Sequence, residues 1–161
     1  MMERNDIPTF HHSNIPPAGR ILAVDWGQRR IGLALSDETQ TLAQPLATLT
    51  RRAGKRFPMA QLLAQVDGHQ VVGIVVGLPL NEDGAEGDAA HAARALADDI
   101  KRRVGTTREV ILWDERMTTA RVLAAVREMG GSTRGRKADV DAMAAALLLQ
   151  HYLDTRKGTA L

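Results

Sequence analysis

The chain contains no cysteine. That absence removes disulfide frameworks, cysteine nucleophiles and thiolate-bound zinc, and it agrees with a reducing, cytoplasmic location. Long apolar runs are also missing. The longest, Ala142 to Leu149, has eight residues, against the roughly 20 a helix needs to cross a bilayer, so no membrane partner is expected. The opening stretch MMERNDIPTFHHSNIPPAGR has no apolar core and does not read as a secretory signal. Aromatics are scarce, with two Trp, two Phe and one Tyr, which argues against recognition of single strands by extensive base stacking. There is little excess of charge of one sign: 21 Lys and Arg stand against 19 Asp and Glu, a net of +2.

What is present suits one globular domain. A chain of 161 residues is long enough to bury a core without covalent staples. An apolar share of 44% with 25% charged residues excludes disorder over the whole chain. Residues 1–19 are polar, carry three prolines and show no periodicity, so they read as a disordered leader ahead of a single domain over 20–161. His11 and His12 lie in that leader, and their adjacent spacing favours no metal site. Basic residues gather at Arg51, Arg52, Lys55 and Arg56, at Lys101, Arg102, Arg103 and Arg108, and at Arg134, Arg136 and Lys137. Each cluster alone is an ordinary solvated face, and the three together raise the case for a polyanion partner modestly.

The apolar pattern predicts three strands, then alternating helices and strands. Arg20–Trp26 and Arg30–Ser36 read as a hairpin of buried strands. Thr41–Thr50 reads as a third strand, moved to an edge by Pro45. Met59, Leu62, Leu63 and Val66 recur at helical spacing. Val71–Gly77 is a dense β-branched strand. A helix over Gly87–Val104 carries a stripe of Ala89, Ala93, Leu96, Ile100 and Val104. Glu109–Trp113 is the last strand. Thr118 then caps a helix with Val122, Leu123, Val126 and Met129 on its apolar face. A Gly- and Arg-rich loop fills Gly130–Lys137, and Asp139–Leu153 closes the chain as a core helix. Strands separated by helices imply right-handed parallel crossovers, hence an α/β fold with a mixed five-stranded sheet and helices on both faces.

Three acidic positions stand apart from the surface charges. Asp25 ends the first strand, Asp114 and Glu115 follow the last, and Asp141 lies in the first turn of the closing helix. Carboxylates beside apolar packing are costly, and neighbouring carboxylates raise one another's proton affinity. A divalent cation relieves that conflict, and oxygen ligands suit Mg²⁺ or Mn²⁺. Ligands of open α/β sheets sit beyond the carboxyl ends of parallel strands, where Asp25 and Glu115 fall. Strand alternation puts Ile111, Trp113 and Glu115 on one face and Leu112 and Asp114 on the other. Only one of the adjacent acids therefore faces the site, and Glu115 is the choice here. Structural duties compete at each position: Asp25 as a turn cap near Gly27, Asp114 as a helix cap, Asp139 or Asp141 as a first-turn acid. Arg29 and Arg30 follow the first glycine turn, where they are expected to help position a nucleic-acid backbone. The loop cations Arg134, Arg136 and Lys137 precede Asp141, placed to hold a nucleic-acid backbone. The long turn Gly77–Gly87 matches no phosphate-binding fingerprint and reads as turn geometry.

These residues resemble a known family. Ile21-Leu-Ala-Val-Asp-Trp-Gly-Gln-Arg-Arg-Ile-Gly-Leu-Ala-Leu-Ser-Asp37 looks like the opening motif of the YqgF family, bacterial proteins similar to Holliday-junction resolvases. Val76-Gly-Leu-Pro-Leu-Asn81 with Asp83-Gly84 and Glu86-Gly87 is similar to its second motif, and Trp113-Asp-Glu-Arg-Met-Thr-Thr119 to its third. Val140-Asp-Ala-Met-Ala-Ala145 with Leu149-Gln-His-Tyr-Leu153 is similar to its last. The four motifs occur in order over residues 20–153. The resemblance implies a ribonuclease-H-like fold and a metal-dependent nuclease that matures the 5′ end of pre-16S ribosomal RNA, with junction resolution as an alternative. It implies Asp25, Glu115 and Asp141 as the metal-binding acids, structured RNA or a DNA junction as substrate, and ribosomal precursor particles as partners. In the wider fold a second acid usually comes from the strand beside the first; here Val71–Gly77 ends without one, which leaves the number of metal ions open. Two other readings remain: a non-catalytic RNA-binding assembly factor, and a nucleotide binder whose phosphate turn Asp25-Trp-Gly27 resembles.

Overall fold

The computed structural model describes residues 14–51, 56–81, 83–114 and 137–159, with the side chains of 137–139, 158 and 159 excepted. The strands are β1 (Ile21–Asp25), β2 (Arg30–Ser36), β3 (Ala43–Thr50), β4 (Gly73–Leu78) and β5 (Glu109–Asp114), and the helices are α1 (Met59–Gly68), α2 (Asp88–Val104) and α3 (Lys137–Thr159). One sheet forms in the order β3-β2-β1-β4-β5. β1–β2 and β2–β3 pair antiparallel, while β1–β4 and β4–β5 pair parallel. This is the mixed five-stranded sheet the apolar pattern predicts.

The alternation of each strand sorts the core into two layers. Leu22, Val24, Ile31, Leu33, Ile74 and Val76 face one side, where they meet Met59, Leu62 and Val66 of α1 and Leu96 and Ile100 of α2. Ile21, Ala23, Ala34, Val75 and Trp113 face the other, against Ala145, Leu148, Leu149 and Tyr152 of α3. β1 is buried along its whole length, because helices cover both of its faces. That is why its four leading residues are all apolar.

α3 is tied to the sheet at its far end by polar contacts. Gln150 Oε1 accepts from the Ala43 N–H at 2.9 Å, and its amide donates to Thr41 O at 2.9 Å. Arg156 donates to Gln40 Oε1 at 3.2 Å and to the carbonyl of Ile15. These bonds hold the end of the helix at the β2–β3 turn, so its beginning falls over the opposite edge, where β1 ends.

Several boundaries differ from expectation. β3 starts at Ala43 rather than Thr41 because Asp37 Oδ1 accepts the N–H groups of Thr41 and Leu42, at 2.8 and 3.2 Å, and closes a turn there. Ala93, Leu96, Ile100 and Val104 of the predicted α2 stripe are buried, while Ala89 is exposed and Ala90 and Ala97 widen the buried face instead. Lys137, expected in the loop, opens α3, and the helix runs six residues past Leu153. Residues 14–19, assigned by sequence to the leader, are placed: Ile15 is 2% exposed and packs on Gly73. The expected helix after Thr118, most of the Gly130–Lys137 loop and residues 1–13 lie outside the described residues. No helix among the described residues is long and apolar enough to cross a membrane.

Candidate active site

β1 delivers Asp25 to its carboxyl end with the same parity as Ile21 and Ala23, hence on the α3 side of the sheet. Its register partner on β2 is Gly32. Gly32 has no side chain, and the main chain of Asp141 occupies the space a Cβ would need. The first described turns of α3 are rich in alanine, with Ala142, Ala144, Ala145 and Ala146 all buried. Small residues on the helix and a glycine on the strand together allow the close approach. The result brings Asp141 beside the strand pair that carries Asp25.

Both carboxylates are out of solvent. Asp25 is 1% exposed and Asp141 is fully buried. Asp25 Oδ2 is buried, with no hydrogen-bond donor to it among the described residues. Asp141 Oδ2 accepts from Arg30 Nε at 2.6 Å, a charge-assisted contact. Arg30 therefore points inward at an acid, where the sequence suggested a contact with nucleic acid. Arg29 beside it is exposed. The turn that carries both is clamped by Arg51, whose guanidinium donates to Gln28 O at 3.1 and 2.6 Å and whose backbone N–H donates to Arg29 O at 2.7 Å. Sequence reading placed Arg51 in a basic surface cluster and missed this role; nothing local to residue 51 signals it.

On β5, Ile111 and Trp113 share the α3 face, and Val110 and Leu112 the other. Asp114, the last residue of β5, has the parity of the second set. Trp113 is fixed by an N–H donated to His151 Nδ1 at 2.9 Å and by an edge-on contact with Tyr152, with ring centroids 5.2 Å apart. Trp113 is thus a packing residue of the core under α3. Glu115, Arg134 and Arg136 lie outside the described residues, as does the side chain of Lys137. Among the described residues no three His, Asp or Glu side chains gather as a metal site. Asp25 and Asp141 supply two hard oxygen donors in a buried setting, which suits Mg²⁺ or Mn²⁺ and not a soft metal.

The turn after β4 is built rather than loose. Leu80 bridges to Glu86, the Asn81 N–H donates to Ala85 O, and Gly84 takes a φ of 88°, which favours glycine. Glu86 accepts two bonds from Arg94 Nε, at 2.7 and 2.8 Å. The Arg94 guanidinium holds the Glu86 carboxyl below the usual carboxylate range. Turn geometry accounts for Gly84, as the sequence suggested.

Residues 19–155 match the family model described as RuvX, Holliday junction resolvase. A protein of Anaeromyxobacter sp. strain Fw109-5, named as a candidate pre-16S rRNA nuclease, is 42% identical over 137 residues, covering 85% of this chain and 98% of its own. A protein of Paramagnetospirillum magneticum with the same name is 40% identical over 141 residues, covering 88% of this chain and 89% of its own. Among solved structures, Thermus thermophilus RuvC in complex with a Holliday junction substrate aligns with a TM-score of 0.50 at 17% identity, over 88% of this chain and 97% of that one. The sheet is thus of the ribonuclease-H-like kind.

Proposed function

The chain belongs to the RuvX family, and from that premise we propose that it is a nuclease that hydrolyses phosphodiester bonds with a divalent metal ion. Its proposed substrate is structured RNA, namely the 5′ end of pre-16S rRNA, met free or on ribosomal precursor particles in the cytoplasm. The names of the relatives support the substrate. The observation that carries the chemistry is the pair of buried carboxylates, Asp25 and Asp141, brought to one edge of the sheet by Gly32.

Asp25, Asp141 and Glu115 are the residues proposed to hold Mg²⁺ or Mn²⁺. Glu115 enters because it continues the parity of Ile111 and Trp113, the α3 face on which Asp25 also lies. A bound ion would polarise a phosphate oxygen and supply a nucleophilic water at neutral pH. The chain's own contribution is position. Packing and Gly32 fix where the carboxylates stand, and the Arg51 clamp sets the turn that presents Arg29. Arg29 with Arg134, Arg136 and Lys137 is proposed to hold the phosphodiester backbone, so binding weakens as salt rises.

The test compares wild type with Asp25→Asn on a 5′-extended pre-16S transcript and on a four-way DNA junction, each with Mg²⁺. Cleavage of the transcript by wild type, and its loss in the variant, is the expected result. Cleavage confined to the junction would make the protein a resolvase. Salt-sensitive RNA binding without cleavage of either substrate would make it a non-catalytic assembly factor.

A further inference from the structure

Among the described residues, Arg30 contacts one of the proposed metal ligands directly. Its Nε lies 2.6 Å from Asp141 Oδ2. The two partners are held differently. Asp141 is fully buried, and its main chain is wedged against Gly32. It has no room to withdraw toward the sheet. Arg30 has its main chain paired with Thr50 in β2–β3, but its side chain is 25% exposed and sits at the solvent margin of the site. Where one partner of an ion pair is locked and the other reaches solvent, the exposed one gives way.

The geometry points to Arg30 as a resident counter-cation. It neutralises and aims the Asp141 carboxylate while no metal is bound, and it competes with the divalent ion for Oδ2 when the ion arrives. This rests on the metal-binding reading above. The physical reason is charge. A guanidinium in contact with the same oxygen as a dication repels it across a few ångströms of partly desolvated protein, where screening is weak. Metal entry therefore displaces the guanidinium outward, toward the edge that Arg29 already occupies. There its planar fork suits a phosphate oxygen of the substrate. Arg30 is a positioning residue in the metal-free protein, and its contact with nucleic acid follows metal binding.

The experiment is a Mn²⁺ titration read by the electron paramagnetic resonance of the free ion, on wild type, Arg30→Gln, Arg30→Lys and Asp25→Asn. Removing the competitor tightens binding, so Arg30→Gln lowers the Mn²⁺ Kd by about tenfold. Arg30→Lys keeps a charge without the fork, folds with the pairing partner in place, and falls between the two. The metal-free Arg30→Gln protein melts below wild type, and Mn²⁺ raises its Tm by more. A residue with a merely structural role would give the reverse, since damage to the site weakens binding. Equal or weaker Mn²⁺ binding by Arg30→Gln, with binding abolished in Asp25→Asn, overturns the inference and leaves the metal site standing. Failure of wild type to bind Mn²⁺ overturns both.

Discussion

The carbonyl oxygen of Asp141 lies 2.0 Å from where a Cβ on Gly32 would stand, and its carbonyl carbon 2.5 Å. No side chain fits between them. The obstacle is main chain on both sides, so rotation of a side chain brings no relief. Gly32→Ala is expected to push the start of α3 off β2 and to cost about 1–3 kcal/mol, the range for forced overpacking. Because Gly32 is the register partner of Asp25, the displacement separates the two acids. Cleavage should therefore fall much further than stability. Urea midpoints, with cleavage assayed where the variant is still folded, check the two effects separately.

Asp114, which ends β5, and Glu115, the next residue in sequence, are expected to behave very differently. Asp114 follows the parity of Leu112, on the face away from α3. Glu115 is the next residue with the parity of Trp113. Glu115→Gln is expected to reduce kcat by about a hundredfold or more, as loss of a group that stabilises transition-state charge does. Asp114→Asn is expected to cost less than about tenfold, acting through the strand end alone. Single-turnover cleavage of the same transcript measures both. A larger loss at Asp114 would mean that the alternation breaks at residue 114 and that the acid assignment must be exchanged.

Ile15 closes the other end of the sheet. It is 2% exposed, and its side chain fills the space over Gly73, whose Cβ would come within 2.6–2.7 Å of three Ile15 carbons. Gln40 donates to Pro16 O at 2.8 Å and to Gly19 O at 3.0 Å, which ties the segment down. Ile15→Ala is expected to lower stability by about 2–4 kcal/mol through the cavity it leaves. Chemical denaturation reads the difference, and a loss below about 0.5 kcal/mol would show that the segment is not anchored through this side chain.

Sequence reading reached the sheet because its signals are local. β1 and β4 are continuous apolar runs, and Pro45 marks an edge strand by removing a ladder donor. Asp25 was legible for the same reason: a lone acid after four buried residues is conspicuous. What brings Asp141 to it was not legible, since Gly32 reads as an ordinary glycine in a strand until the helix that crosses it is seen. The inward turn of Arg30 was hidden likewise, because its partner is 111 residues away. Ile15 was missed because proline-rich, polar surroundings outweigh a single apolar residue in any window average.

The ion pair between Glu86 and Arg94 gives a pH signature. Arg94 hydrogen-bonds the Glu86 carboxylate and lowers its proton affinity in the folded state. An acid with a depressed folded value contributes stability above its ordinary value of 4.5, and that contribution is lost as pH falls through the lower folded value. Glu86→Gln is therefore expected to be less stable than wild type at pH 7, and the gap should close toward pH 3. The pair is partly exposed, at 40% for Arg94 and 27% for Glu86, so solvent screening keeps the gap to about 0.5 kcal/mol. Urea midpoints at the two pH values decide the matter. A gap that persists undiminished at pH 3 would assign the effect to packing of the Leu80–Glu86 turn rather than to its charge.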